Sequence, residues 1–133
     1  MADRTGRVTG AETRGHRLSE YLERYRSRLV AMNGPTAGAP IALDRERITI
    51  GRSPGADLPV EDDSVSRWHA VIEFTGRGFR IRDLGSRSGV EVNGMPAQSC
   101  ELRAGDTIRI GEREFRFFQE EIEPAPGTCV LQD

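Results

Sequence analysis

Lysine is missing from this chain: all 19 basic residues are arginine, set against 21 acidic residues for a formal net charge of −2. A GC-rich genome accounts for the arginine usage and assigns it no function. The near-neutral balance excludes wholesale electrostatic binding, so no nucleic-acid partner is expected. Aromatic residues are scarce at 6%, and hydrophobic residues make up 36% of the 133 positions. That supports one domain with a modest core, and it is too apolar for a fully disordered chain. Cysteine is nearly absent. Cys100 and Cys129 are too few for a disulfide framework and are expected as reduced thiols. The two histidines, His16 and His69, lie far apart with no cysteine near either, so neither a metal nor any other cofactor is expected. No apolar run approaches the roughly 20 residues of a membrane helix. Residues 1–15 carry no apolar segment of the secretory kind. A cytoplasmic chain without a membrane partner is the expectation.

The charge that is present is unevenly spread. Residues 1–30 hold seven arginines and four acidic residues; residues 31–118 hold twelve and thirteen; residues 119–133 hold four acidic residues and no arginine. A basic head and an acidic tail flank a neutral body. Solvated termini are the simplest reading of both.

Residues 1–15, rich in Gly, Thr, Arg and Asp, read as a flexible arm. Over 16–27 the pattern changes. Leu18, Tyr21, Leu22 and Tyr25, continuing to Leu29, recur at spacings of three and four, which is one face of a short helix. Such a helix is marginal alone. It must pack on the body, on a second copy or on a partner, and the first is the simplest. From residue 28 the period falls to two. Short apolar runs at Leu29–Met32, Ile41–Leu43, Ile48–Ile50, His69–Phe74, Phe79–Leu84, Val90–Val92, Leu102 to Ile110 and Phe115–Phe118 alternate with turn residues. Gly51–Asp57 and Gly85–Gly89 read as loops, and Asn93-Gly94 as a hairpin turn. No helical period interrupts 40–118. The expectation is an all-β sandwich or barrel over 28–119, followed by an acidic, proline-containing tail at 120–133.

One constellation carries chemistry. Gly51-Arg52 ends a strand, Ser66-Arg67-Trp68-His69 begins another, Asp83-Leu84-Gly85-Ser86 ends a third, and Val92-Asn93-Gly94 follows. Arginine suits a phosphate because its planar guanidinium donates two parallel hydrogen bonds. Arg52 at a strand end can project into a loop cleft; its plain alternative is a surface ion pair with Glu61, Asp62 or Asp63. Ser66 offers a compact hydroxyl. Ser66, His69 and Asp83 invite a hydrolytic triad. However, Ser and His three residues apart at a strand entrance do not align nucleophile to base, and no Gly-x-Ser-x-Gly elbow is present. No enzyme and no catalytic residue is expected.

In this order and spacing, these motifs resemble the forkhead-associated (FHA) domain, of the small single-domain bacterial type, over about residues 28–119. The resemblance implies a β-sandwich of about eleven short strands whose loops bind phosphothreonine peptides. It implies that Arg52 and Ser66 contact the phosphate. His69 then holds the binding loops through its ring, and Gly51, Gly85, Asn93 and Gly94 give structural support to the site. The family's usual loop reads Gly-Ser-Thr-Asn-Gly, where this chain reads Gly85-Ser86-Arg87-Ser88-Gly89. In the family the Thr helps to accommodate the phosphothreonine and the Asn fixes the ligand backbone with paired hydrogen bonds. Ser88 is shorter and lacks an amide's donor and acceptor together. Arg87, and Arg67 beside Ser66, are expected to add charge-assisted contacts to the phosphate or to an acidic ligand residue.

The resemblance thus implies a non-catalytic phosphothreonine-peptide-binding module, an adaptor in Ser/Thr kinase signalling, whose partner is a kinase or its substrate. The alternative is an FHA-fold scaffold that binds a protein partner without phosphate. A monomer or weak homodimer is expected. Thr13 and Thr128, in the two arms, are candidate phosphorylation sites that would bring a phosphothreonine to the chain's own loops or to those of a second copy.

Overall fold

The computed structural model describes residues 17–122. One helix, α1 (17–24), precedes eleven strands: β1 (Tyr25–Ala31), β2 (Pro40–Ala42), β3 (Arg47–Gly51), β4 (Leu58–Pro59), β5 (Ala70–Phe74), β6 (Phe79–Asp83), β7 (Val90–Val92), β8 (Met95–Pro96), β9 (Ser99–Glu101), β10 (Thr107–Ile110) and β11 (Arg113–Glu121). The strands form two sheets, one ordered β2-β1-β11-β10-β7-β8 and the other β4-β3-β5-β6-β9. The expected all-β sandwich and its strand number are what the chain forms. The three strands missing from the sequence reading, β4, β8 and β9, are all edge strands of two or three residues.

Alternation builds the core. Along β11, Phe115 and Phe117 point inward between more exposed neighbours. They meet Leu29, Ile50, Ile72, Phe79, Ile81, Ile108 and Ile110, all 2% exposed or less. Each such side chain is worth roughly 1.5–3 kcal/mol of burial. On β5, Glu73 sits opposite Arg80 and takes hydrogen bonds from Arg80 at 3.1 Å and from Arg82 at 2.9 Å. The Arg82 contact, followed by the Arg80 contact, holds its carboxyl below the usual range.

Helix α1 docks on its own sandwich. Leu18 and Tyr21 are buried, and the Tyr21 ring packs 5.2 Å from Phe74 and 5.9 Å from Phe79. Its hydroxyl donates to Gln119 at 2.8 Å. The helix ends three residues short of the expected boundary at 27, because Tyr25, Arg26 and Ser27 pair with Glu121, Glu120 and Gln119. A short helix has little propensity to lose, and a seven-residue ladder to β11 outweighs it. The same ladder carries β11 through Glu121, two residues into the stretch read as tail, and the Ile122 N–H closes it by donating to the Arg24 carbonyl at 2.7 Å. No helix among the described residues is long and apolar enough to cross a membrane.

Candidate functional site

The loops after β3, before β5 and after β6 converge at one end of the sandwich, and hydrogen bonds weld them together. Gly51 makes the first junction possible. A Cβ there would lie 2.0 Å from the Arg67 carbonyl oxygen, so only glycine lets the two backbones approach this closely. The next two residues are then tied across: the Arg52 N–H donates to the Ser66 carbonyl at 2.9 Å and the Ser53 N–H to the Arg67 carbonyl at 3.1 Å.

Arg52 is exposed, and its Nε donates to the Val65 carbonyl at 3.0 Å. That bond fixes the stem and leaves the terminal guanidinium nitrogens at the mouth of an open cleft shared with Glu61, Asp62 and Asp63. None of the three forms an ion pair with Arg52 among the described residues. Asp62 turns instead to Ser64, whose hydroxyl and amide both donate to Oδ1, and stands 3.7 Å from Arg113. Those contacts, led by the Ser64 hydroxyl, hold the Asp62 carboxyl below its usual range.

His69 is fully buried. The Ser66 N–H donates to Nδ1 at 2.9 Å, so that nitrogen carries no proton. The proton therefore sits on Nε2, which donates to the Gly89 carbonyl at 2.8 Å. One ring spans the loop before β5 and the loop after β6. This wiring also dismantles the triad geometry. Both ring nitrogens are used on backbone, and Asp83 does not meet the ring. Its carboxylate accepts from the amides of Gly85 and Ser86 at 2.9 and 3.1 Å and from the Ser86 hydroxyl. The Ser86 hydroxyl oxygen in turn accepts from the Gly89 N–H at 2.9 Å, so the turn is pinned from both ends. Gly85, with φ +79, provides its left-handed corner.

Ser66, Arg87 and Ser88 come together as expected, with more specific partners than the sequence indicates. The Ser66 hydroxyl oxygen accepts from the Arg87 N–H at 3.0 Å, which leaves the hydroxyl proton free to donate outward. One Arg87 guanidinium nitrogen donates to the Asp63 carbonyl at 3.2 Å, and the Ser88 hydroxyl donates to the Ser64 carbonyl at 3.2 Å. Arg67 is exposed beside them, and Trp68 is 48% exposed.

Two supporting residues belong elsewhere. Asn93 (φ 55) and Gly94 close the β7–β8 hairpin, and the Asn93 side chain bonds Asp106 and the Thr107 amide. They lie at the far end of β7 from Gly89, roughly 10 Å of strand away, so they brace the opposite end of the sandwich. Sequence spacing places motifs in order but does not tell the two ends of a strand apart. Ser64 was the residue missed, together with the turn it forms with Asp62; the Asp-x-Ser spacing is the signal of a side-chain-capped turn. Thr13, Thr128, His16 and Cys129 lie outside the described residues. Cys100 is a free thiol whose burial pushes its pKa up.

Known proteins share this fold. The FHA domain model matches residues 48–111. The chain is 40% identical over 91 residues, 68% of its length, to an oxoglutarate dehydrogenase inhibitor of Corynebacterium diphtheriae, of which it covers 64%. It is 39% identical over 84 residues, 63% of its length, to the glycogen accumulation regulator GarA of Mycolicibacterium smegmatis, of which it covers 53%. The match therefore spans little more than half to just under two thirds of these relatives. A solved structure described for phosphothreonine-dependent FHA domain interactions superposes with a TM-score of 0.65 at 31% identity, covering 74% of this chain and 98% of that one.

Proposed function

This chain belongs to the FHA domain family, and on that premise we propose that it is a non-catalytic module that binds phosphothreonine peptides and acts as an adaptor in Ser/Thr kinase signalling. The observation that carries this reading is the pairing of Arg52 and Ser66 at one loop junction. A guanidinium anchored by its Nε and a hydroxyl whose oxygen is already satisfied both offer unused donors outward. A phosphate monoester brings the matching acceptor oxygens, near-dianionic at neutral pH.

Around that pair we assign supporting roles. Arg67 and the remaining donors of Arg87 supplement the phosphate or meet an acidic ligand residue. Ser88, its hydroxyl already donating to Ser64, contributes its backbone rather than an amide-like grip. Gly51, His69 and Gly85 hold the loops. The partner we propose is a phosphothreonine-bearing kinase or kinase substrate. The relatives' names support a regulatory target such as a metabolic enzyme, met in the bacterial cytoplasm.

Binding of an oriented phosphothreonine library to the full chain, with unphosphorylated and phosphoserine counterparts, tests the reading. Enrichment of phosphothreonine over unphosphorylated peptide is expected. Equal binding of both would replace this reading with the phosphate-independent scaffold.

A further inference from the structure

A second site lies at the opposite edge of the sandwich from β8 and β9. β2 ends one sheet and β4 ends the other. The gap between them opens into a pocket of 370 Å³ lined by Pro35, Thr36, Ile41, Leu58, Val60 and Phe115, with Arg113 inside and Glu61 at its margin. That volume falls at the low end of the range small-ligand sites occupy, about 300–1,000 Å³.

Arg113 is the anomaly. It holds the first inward position of β11, in register with Phe115 and Phe117, where alternation calls for an apolar residue. It is only 8% exposed. Its guanidinium lies against Gly34, where a Cβ would come within 2.4 Å of Cζ and where φ is +83. The chain gives up a side chain at position 34 to admit it. Yet the charge is only partly met. The Nε is buried with no hydrogen-bond acceptor. Its ion-pair partner Asp62 turns Oδ2 toward Nη1 at 3.7 Å, longer than a hydrogen bond, while Oδ1 is held by Ser64. A buried cation with incomplete compensation is costly, and the pocket it lines is otherwise mostly apolar, with Thr36 and Glu61 its other polar side chains.

We propose that this pocket binds a small aliphatic monocarboxylate, its head on Arg113 and its hydrocarbon body along Ile41, Leu58 and Phe115. One negative charge matches one under-paired guanidinium. The apolar walls favour a body without further polar groups, and Glu61 at the margin disfavours a second anionic group.

The test is a titration of the isotope-labelled full chain with sodium octanoate, followed by amide and Arg113 Nε chemical shifts, with 1-octanol as the uncharged counterpart. Saturable octanoate shifts centred on Thr36, Val60 and Arg113, with much weaker octanol binding, are expected. Arg113→Met should weaken octanoate by about tenfold or more, the loss of one charge-assisted contact. Ala39 also lines the pocket, and Ala39→Phe, which narrows it without touching the charge, should block binding if the Met variant does not fold. No saturable shift, equal binding of octanol, or undiminished octanoate binding by either folded variant would overturn the proposal.

Discussion

The hydroxyl oxygen of Ser66 accepts the backbone N–H of Arg87 at 3.0 Å across 21 positions of sequence. Two loops that carry the proposed phosphate donors are thus one rigid unit, and His69 beneath them adds a second clamp on the same pair of loops. Preorganisation of this kind removes the ordering cost that a mobile loop would incur on binding.

Arg52→Ala should abolish phosphopeptide binding and leave the fold intact. The guanidinium is exposed and its single described bond is to a carbonyl, so stability has little at stake. Affinity loses a charge-assisted pair worth about 2–5 kcal/mol. Isothermal titration should show no heat, with an unchanged thermal melt. Wild-type affinity in a folded variant would refute the phosphate site.

His69→Ala acts the other way. A fully buried ring with two hydrogen bonds is lost, leaving a cavity and an amide and a carbonyl without partners. The cost should be about 2–4 kcal/mol, read as a lower midpoint in urea. A midpoint equal to wild type would show that the ring does not clamp the loops.

Gly51→Ala forces the Arg67 carbonyl away from a Cβ that would sit 2.0 Å from it. Overpacking of backbone against side chain should cost about 1–3 kcal/mol or more. Because the shifted segment contains Ser66, phosphopeptide affinity should fall as well. Retained affinity together with retained stability would mean the junction is not tight.

Arg87→Thr should reduce affinity for phosphopeptides with acidic flanking residues severalfold and flatten the salt dependence, since an exposed charge acts through a screened field. Affinity measured at low and high salt for acidic and neutral peptides checks this. Identical salt slopes in both proteins would contradict it.

Glu73 makes stability depend on pH. Its carboxyl is held below the ordinary value of 4.5 by Arg82 and Arg80. The unfolded chain therefore binds the proton first, and the stabilisation is complete above the unfolded value. It is lost as pH falls through the folded one. Glu73→Gln should thus be less stable than wild type at pH 7, and the gap should narrow as acid melts are taken below pH 4.5. A gap that is constant with pH would assign the effect to packing.

The strands were legible because period-two alternation and turn residues are local signals, as at Ile48–Ile50 and Phe79–Asp83. The meeting of Arg52 and Ser66 at one loop junction was legible too, because their motif spacing survives without coordinates. The end of α1 was not, because Tyr25 continues the helical spacing while its fate is decided by Glu121, 96 positions on. The same limit hid the partners of Arg87 and Ser88 and the remoteness of Asn93. Arg113 was unremarkable in sequence, since only the register of β11 reveals that it faces inward.

The bond between Ile122 and Arg24 has a consequence for reach. It fixes both exits of the sandwich at the end away from the phosphate loops, with β11 between, a span of about 26 Å. Any segment continuing from either exit must cover that length before it meets Arg52 and Ser66 of its own molecule, whereas the loops of a second copy carry no such distance.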